Sequence, residues 1–178
     1  MAEETLQTPL HVAERVRNIA EALTDGIIII DGEEYYIPDH VFFKLELEER
    51  FDDGESEFEI EVEVIWPLPS NENIEDDIGK IDDTEWVLYY EAQLMTREAA
   101  AKRILQLSTQ IWGEHFELGG HEIILPPQLS IEVETEAVTD DADEDDGEVP
   151  TKLEIEIGWT SWQLMRPSAI AAKTAELQ

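Results

Sequence analysis

The chain has 178 residues, and 44 acidic against 11 basic side chains give it a formal net charge of −33 at pH 7. A field of this sign repels nucleic acid and anionic membranes and attracts cations and basic proteins, so direct binding to nucleic acid or to a membrane is not expected. Hydrophobic residues make up 42%, enough for a core, and the absence of cysteine excludes disulfides and thiol chemistry. No apolar run reaches the length of a membrane helix and the N-terminus does not resemble a signal peptide, so we expect a cytoplasmic location.

Residues 1–67 are predicted to form a short strand, one helix, a hairpin and two longer strands. Thr8 offers a side-chain oxygen as the helix N-cap, Pro9 suits the first helical position, and Gly26 ends the helix. Asp31 and Gly32 accept the positive φ angles of a two-residue hairpin turn. The predicted strands, in chain order, are Glu3–Leu6, Ile27–Ile30, Glu34–Ile37, Val41–Glu49 and Phe58–Trp66.

The second half of the chain repeats this pattern. At an offset of 88 residues Gly32 meets Gly120, and at an offset of 93 Trp66 meets Trp159. The change of offset falls in one acidic loop, which is where a duplicated fold tolerates an insertion best. The predicted elements are the strand Trp86–Ala92, a helix from Thr96 to Gly113, a hairpin turned by Gly119 and Gly120, the strand Leu129–Ala137 and a last strand from Leu153 to Trp159.

The predicted fold class is therefore α+β, with two tandem repeats. Each repeat is expected to be an antiparallel β-sheet with one helix packed on one face, in the order β-α-β-β-β-β. The expected organisation is a first domain at 1–67, an acidic linker at 68–83, a second domain at 84–160 and a C-terminal tail at 161–178. The tail is the part of the chain that is not acidic.

Three motifs of the second half carry a family resemblance. They are a helix opened by LMTREAAAKRILQL, a glycine hairpin that ends in IILPP, and a strand that closes on Glu156-Ile157-Gly158-Trp159. These motifs resemble the amphi-Trp domain family of small prokaryotic domains. The first half is similar more loosely, with Pro9-Leu10-His11 where the family tends to have Arg-Glu-Glu, and the two matches cover about 8–66 and 90–159. The resemblance implies two tandem α+β domains and brings no catalytic residues to this chain.

Glutamate alternates with aliphatic residues along the closing strand of each half. Since successive side chains of a strand point to opposite faces, the aliphatic residues are expected to face the helix and the glutamates to face solvent. Trp66 and Trp159 are then structural residues that cover the core. The glutamates would form an acidic partner-binding surface, with Trp162 of the tail as a further docking residue. This predicted set is Glu46, Glu48, Glu57, Glu59, Glu61, Glu63, Glu132, Glu134, Glu154, Glu156 and Trp162.

The sequence contains no strong motif for catalysis or for metal binding. His115 and His121 lie on the second hairpin, where their side chains need not converge, and the acidic run Asp140–Val149 fits no frame of a calcium loop. Ser108 lies inside a predicted helix, where a hydroxyl usually faces solvent or its own backbone. Glutamates that face solvent lack the burial that shifts a catalytic pKa. We therefore expect no enzyme activity, no cofactor and no metal.

Three non-enzymatic functions are consistent with the sequence. In the first, the chain is an interaction or accessory module that binds a basic partner protein through its glutamates, with an affinity that falls with salt. In the second, it is a structural or assembly subunit that uses the tail and the aromatic residues Trp86, Tyr90 and Trp112. In the third, it is an inhibitor that mimics nucleic acid. A high-salt cytoplasm or simple solubility would explain the charge without any partner.

Overall fold

The computed structural model describes residues 6–52, 54–67, 79–80, 84–137 and 150–161, which form an α+β fold. The helices are α1, Pro9–Asp25, and α2, Arg97–Trp112. The strands are β1, Leu6–Gln7; β2, Ile27–Ile30; β3, Glu33–Tyr36; β4, His40–Asp52; β5, Glu55–Trp66; β6, Gly79–Lys80; β7, Glu85–Thr96; β8, His115–Leu118; β9, His121–Ile124; β10, Leu129–Ala137; and β11, Thr151–Ser161. Seven of them form one antiparallel sheet in the order β1-β10-β11-β5-β4-β7-β6, while β2-β3 and β8-β9 are separate hairpins.

Both helices begin at the predicted threonines. The Thr8 side chain accepts a hydrogen bond from the His11 N–H, and the Thr96 side chain accepts one from the Ala99 N–H. Helix α1 ends at Gly26, whose φ of 83° is the left-handed conformation that glycine adopts without strain. Helix α2 ends differently from this pattern, because Gly113 keeps a right-handed φ of −74° and the positive φ of 57° falls on the next residue, Glu114.

The two hairpin turns have the geometry that their sequences predict. Asp31 and Gly32 have φ angles of 51° and 81°, and Gly119 and Gly120 have angles of 56° and 82°. Two consecutive positive φ angles define the turn whose twist matches that of antiparallel strands. The two turn residues therefore fix the register of each hairpin. In the first hairpin Ile27 pairs with Tyr36 at one end and Ile30 pairs with Glu33 next to the turn.

The large sheet contains strands from both halves of the sequence. Strands β5 and β11, which close the two halves, pair with each other over eleven residue pairs from Thr151–Trp66 to Ser161–Ser56. Strand β1 pairs with β10, and β7 pairs with β4. The sequence predicts a separate sheet in each half, and the structure has one shared sheet instead. The physical reason is that a closing strand with unpaired backbone groups pairs with a second such strand where one is present.

The core lies between the two helices and one face of the sheet. The helices also contact each other, and the buried Ser108 Oγ of α2 donates a 2.7 Å hydrogen bond to the Ala13 carbonyl oxygen of α1. This corrects the expectation that the Ser108 hydroxyl faces solvent or its own backbone. Because the helices are in contact, a carbonyl oxygen of α1 lies within reach of this hydroxyl, and a buried hydroxyl needs such a hydrogen-bond partner.

Several predicted segments lie partly or wholly outside the described residues. The predicted strand Glu3–Leu6 is described only at its last residue, Leu6, which forms β1 together with Gln7. The predicted linker contains one short strand, Gly79–Lys80, which pairs with β7 at Val87 and Trp86. The tail from Trp162 onward and the acidic run from 140 to 149 lie outside the described residues. Of the two helices in the described part of the chain, neither is long and apolar enough to cross a membrane.

Candidate functional site

The face of the sheet opposite the helices carries the glutamates. They alternate with the core residues along β4, β5, β10 and β11, which are neighbours in the sheet. We call this surface the acidic face. Two lysines lie on it as well. It consists of Lys44, Glu46, Glu48, Glu57, Glu59, Glu61, Glu63, Glu132, Glu134, Glu136, Lys152, Glu154 and Glu156.

The strand register places these residues in rows that cross the four strands. In the central row Glu46 pairs with Glu61, Glu61 with Glu156, and Glu156 with Glu132. Directly opposed residues of neighbouring strands have Cβ atoms about 4.5–5.5 Å apart, and like charges at that distance destabilise a sheet. Four carboxyl groups therefore lie in one line with unfavourable mutual interactions.

The glutamates are less exposed than the alternation predicts. Glu63 and Glu154 are each only 7% exposed, and Glu59, Glu61 and Glu156 are half-buried. Their long side chains cover one another, because each strand in the middle of the sheet has neighbours on both sides. The expectation that all the predicted glutamates face solvent is therefore wrong for the central ones. Those that are exposed are Glu57, Glu132 and Glu134.

Two lysines neutralise one part of the acidic face. The Lys44 Nζ lies 3.2 Å from Glu63 Oε2, and the Lys152 Nζ lies 3.4 Å from Glu63 Oε1 and 2.7 Å from Glu136 Oε1. Lys152 also forms an ion pair with Glu154. Burial alone would raise the pKa of Glu63, but its hydrogen bond with Glu61 and the two ammonium groups outweigh that effect and lower it. Glu63 is therefore held as a carboxylate.

In the part of the acidic face without a lysine, the pKa values of several glutamates are raised instead of lowered. Burial and then a hydrogen bond with Glu63 raise the pKa of Glu61 to about 9. A hydrogen bond with Glu154 and then burial raise the pKa of Glu156 to about 8. Burial and then a hydrogen bond with Glu46 raise the pKa of Glu48 to about 7. At neutral pH these carboxyls therefore retain protons that exposed glutamates would release.

The arrangement can share protons and can hold cations. Two sets of three carboxylates have oxygen atoms within 4.8 Å of one another. They are Glu59, Glu61 and Glu156 in one set and Glu61, Glu63 and Glu154 in the other. The sequence analysis predicts no metal at these residues. In the sequence these glutamates are visible only as members of the Glu-aliphatic alternation of two strands. Their convergence depends on the pairing of β5 with β11, which the alternation does not reveal.

The closing tryptophans are buried on the helix side. Trp66 is 7% exposed and packs edge-on against Tyr35, with ring centroids 6.4 Å apart. Trp159 is 6% exposed and stacks on Phe58, with centroids 5.6 Å apart. The Trp159 Nε1 has no hydrogen-bond partner among the described residues. Buried indole N–H groups usually have one.

A depression of about 600 Å³ opens at one end of the sheet. Trp159 and Phe58 line it, together with the acidic-face residues Glu48, Glu57 and Glu59. Its other lining residues are Leu6, Arg50, Pro126, Pro127, Gln128, Ser130, Gly158 and Thr160. The depression thus lies beside carboxylates of the acidic face, at a place that the sequence does not predict.

The remaining candidates are dispersed over the fold. His115 pairs with Ile124 and His121 with Leu118, so the two histidines lie at opposite ends of their hairpin. Trp112 is 57% exposed at the end of α2, away from the acidic face. The Tyr90 ring lies 5.9 Å from the Lys44 Nζ, within reach of a cation–π contact.

One carboxylate that the sequence does not single out is fully buried. Glu49 is 0% exposed on the helix side of β4, and its Oε1 accepts a 3.0 Å hydrogen bond from the Ser56 hydroxyl. The Glu49 Oε2 has no partner among the described residues. In the alternation along β4, position 49 points inward, where an aliphatic residue is expected. A glutamate at such a position is the sequence signal that would have identified Glu49.

The comparisons with known proteins give no match. No protein-family model, no curated protein and no solved structure matches this chain.

Proposed function

We propose that the protein is a non-enzymatic interaction module whose acidic face binds a basic partner protein. The observation that supports this proposal is the central row of Glu46, Glu61, Glu156 and Glu132, which crosses four strands without a cation in it. Four carboxylates at these positions would repel one another, so Glu61 and Glu156 keep their protons at neutral pH in the free protein. A positively charged partner would favour the carboxylate forms of these groups and attract them, and this gives binding a driving force that depends on charge.

The single sheet makes this proposed surface continuous. Two sheets joined by a linker would offer two separate surfaces and bind through bivalent reach. In the structure, β5 and β11 lie side by side at the centre of one sheet, so glutamates from both halves form one surface. We therefore propose one binding event on one contiguous face, and no contribution from a flexible linker.

We also propose that the chain is a duplicated amphi-Trp-like unit located in the cytoplasm. Each half runs as a strand, a helix, a two-strand hairpin and two long strands, and this order supports the duplication. The two hairpins with equivalent turn geometry and the two threonine caps support it further. The location is a prediction from the sequence alone.

The proposal is tested by capturing partners from the native lysate at low and at high salt. The bait is the full chain, and the test variant carries Glu57→Gln, Glu132→Gln and Glu134→Gln, three exposed positions of the acidic face. The matched control carries Glu98→Gln, Glu114→Gln and Glu117→Gln, which are exposed on α2, after it and on β8. Both variants lose the same charge, so they differ only in where the charge is removed.

The expected result is a basic protein that binds the native chain and the control, is lost from the test variant, and is released at high salt. Equal loss from both variants would show that only net charge matters. A chain that captures no basic protein at either salt concentration, but unfolds without molar salt, would show that the acidity is an adaptation to the environment.

A further inference from the structure

The ladder between β5 and β11 relates the two halves of the chain, 1–67 and 84–161, by a half-turn. At its centre Val62 pairs with Ile155, which is its own equivalent at the offset of 93 residues. The contacts on either side also occur in exchanged form, because the equivalents of the residues in one contact make the other. These contacts are Ile60–Ile157 and Val64–Leu153. Such reciprocal contacts are characteristic of the interface in a two-fold dimer.

The first strand of each half pairs with a strand of the other half. Leu6 of β1 pairs with Ser130 of β10, and Leu94 of β7 pairs with Phe42 of β4. The two pairs are equivalent at the offset of 88 residues, with the halves exchanged. Among the described strands, β10 and β11 separate β1 from β4 and β5 of its own half, so neither half forms a continuous sheet by itself.

Contacts outside the sheet also join the halves. The Thr135 hydroxyl of β10 donates a 2.8 Å hydrogen bond to the Tyr35 hydroxyl of the first hairpin. The Arg97 guanidinium at the start of α2 donates a 2.8 Å bond to the Ile37 carbonyl oxygen. The buried apolar residues of both helices and both halves form one cluster. A half without its partner would therefore leave its side of the core exposed to water, which is unfavourable.

The connection between the halves has to travel along the sheet. Strand β5 ends at Trp66, and β7 begins at Glu85, which pairs with Arg50 in the row of Glu57 at the other end of β5. Along β5 these two ends lie about 30 Å apart, at about 3.3 Å per residue. Residues 67–84 can cover at most about 60 Å when extended. The connection is therefore long enough for both halves to join one sheet, and also long enough for them to enter two different sheets.

We infer that each half is a self-complementary unit whose binding partner is another unit of the same kind, so that two copies of the chain can exchange halves and form a dimer. In the monomer the partner is the other half of the same chain. In the exchanged dimer each sheet takes 1–67 from one copy and 84–161 from the other, and all the contacts between halves are retained. The surface involved is the edge of the closing strand together with the helix and the first strand. It is distinct from the acidic face and does not depend on the proposed basic partner.

The covalent connection sets the conditions under which exchange competes with the monomer. A connection of this length gives the second half an effective concentration of about 1 mM. At lower protein concentrations the second half of the same chain is therefore the favoured partner. The net charge of −33 also repels a second copy at low salt. We expect exchange when the chain is refolded at millimolar concentration and high salt, or when the connection is too short to reach along one sheet.

The first test shortens the connection in the full chain. Deletion of 68–80 leaves residues that span at most about 22 Å between Trp66 and Glu85, less than the length of about 30 Å that one sheet requires. The control deletes 139–149 and leaves a two-residue loop between β10 and β11, as found between Asp52 and Glu55 of the other half. Light scattering and circular dichroism should show folded dimers or larger species for the first variant and a folded monomer for the control. A folded monomer from the linker deletion, or the same association in both variants, would overturn the inference.

The second test keeps the native connection and decides the matter if the shortened chain does not fold. Glu61 and Glu156 pair across the β5–β11 ladder, and the chain has no cysteine. One copy carries Glu61→Cys and a second copy carries Glu156→Cys, and the two are unfolded together and refolded at millimolar concentration and high salt with oxidised glutathione. In an exchanged dimer the introduced thiols are directly opposed, with Cβ atoms about 4.5–5.5 Å apart, close to disulfide geometry. We expect a mixed disulfide between the two copies.

Two controls separate exchange from random oxidation. In the first, the same two variants are refolded separately and mixed afterwards. In the second, Glu117→Cys on the exposed side of β8 replaces Glu156→Cys. Each control should give at least about tenfold less mixed disulfide, because only exchange holds the thiols together at a high effective concentration. Equal yields in the test and the second control, or no mixed disulfide in the test, would overturn the inference.

Discussion

Glu61 and Glu63 lie two residues apart on the same face of β5, and the pKa values of their carboxyl groups shift in opposite directions. The lysines Lys44 and Lys152 both contact Glu63. Glu61 has Glu46 and Glu156 as its cross-strand neighbours. The difference between the two residues is therefore set by their neighbours on other strands. It divides the acidic face into a neutralised end and an end that holds protons.

Stability is expected to fall as the pH rises from about 5 to about 9 at low salt. The pKa values of Glu48, Glu61 and Glu156 are raised to about 7, 9 and 8, whereas an unfolded glutamate titrates near 4.5. The folded state thus binds protons that the unfolded chain has already released, so their stabilising effect is complete below pH 4.5 and is lost as the pH rises through the folded values. Melting temperatures across this range measure it. The double variant Glu61→Gln, Glu156→Gln should flatten the curve, and an unchanged slope would contradict the assignment.

Removal of the lysine that contacts three glutamates should be costly. Lys152→Met leaves Glu63, Glu136 and Glu154 without this ammonium, and the side chain of Lys152 is only 16% exposed. Breaking such a partly buried network should destabilise the protein by about 2–3 kcal/mol. Urea unfolding of the purified variant measures the loss.

The control for this prediction is an exposed ion pair. Arg17 and Glu21 form an i,i+4 pair on α1 with side chains 53% and 65% exposed. Arg17→Met should change the free energy of unfolding by less than about 0.5 kcal/mol. If both variants lose the same amount, the Lys152 network is not a specific source of stability.

The hydrogen bond between the helices is expected to contribute measurably. Ser108→Ala removes the donor to the Ala13 carbonyl inside the core and should cost about 1–2 kcal/mol. Thr109→Ala is the control, because its hydroxyl bonds the Leu105 carbonyl on the exposed side of the same helix. A denaturant melt that shows no difference between the two variants would exclude a role for this bond in holding the helices together.

The closing tryptophan of β11 should be a major part of the core. Trp159→Ala removes a side chain that is 6% exposed and stacked on Phe58, and should cost about 3–5 kcal/mol. Trp112→Ala removes a side chain that is 57% exposed, and should change the stability by no more than about 0.5 kcal/mol. Calorimetry on both variants compares them, and an unchanged melting temperature for Trp159→Ala would refute the core assignment.

The local structure follows from the sequence because it depends on near neighbours. Thr8 and Thr96 cap their helices through a bond three residues away, and Asp31-Gly32 sets a turn through its own φ angles. The inward side of β5 follows from the period of two. These features need no knowledge of which strand lies beside which, so the caps, the turns and the buried aliphatic residues agree with the structure.

The site depends on contacts between residues distant in sequence, and only the tertiary structure decided it. The alternation shows that Glu61 and Glu156 lie on outer faces, but their adjacency requires β5 to pair with β11 in one register. That pairing buries Glu63 and Glu154 and brings Lys152 to them. The sequence by itself thus determined most of the elements, their buried sides and the excess of negative charge. The tertiary structure decided which carboxyls share a cation and which share protons, because electrostatic interactions depend on distances across strands that no local pattern encodes.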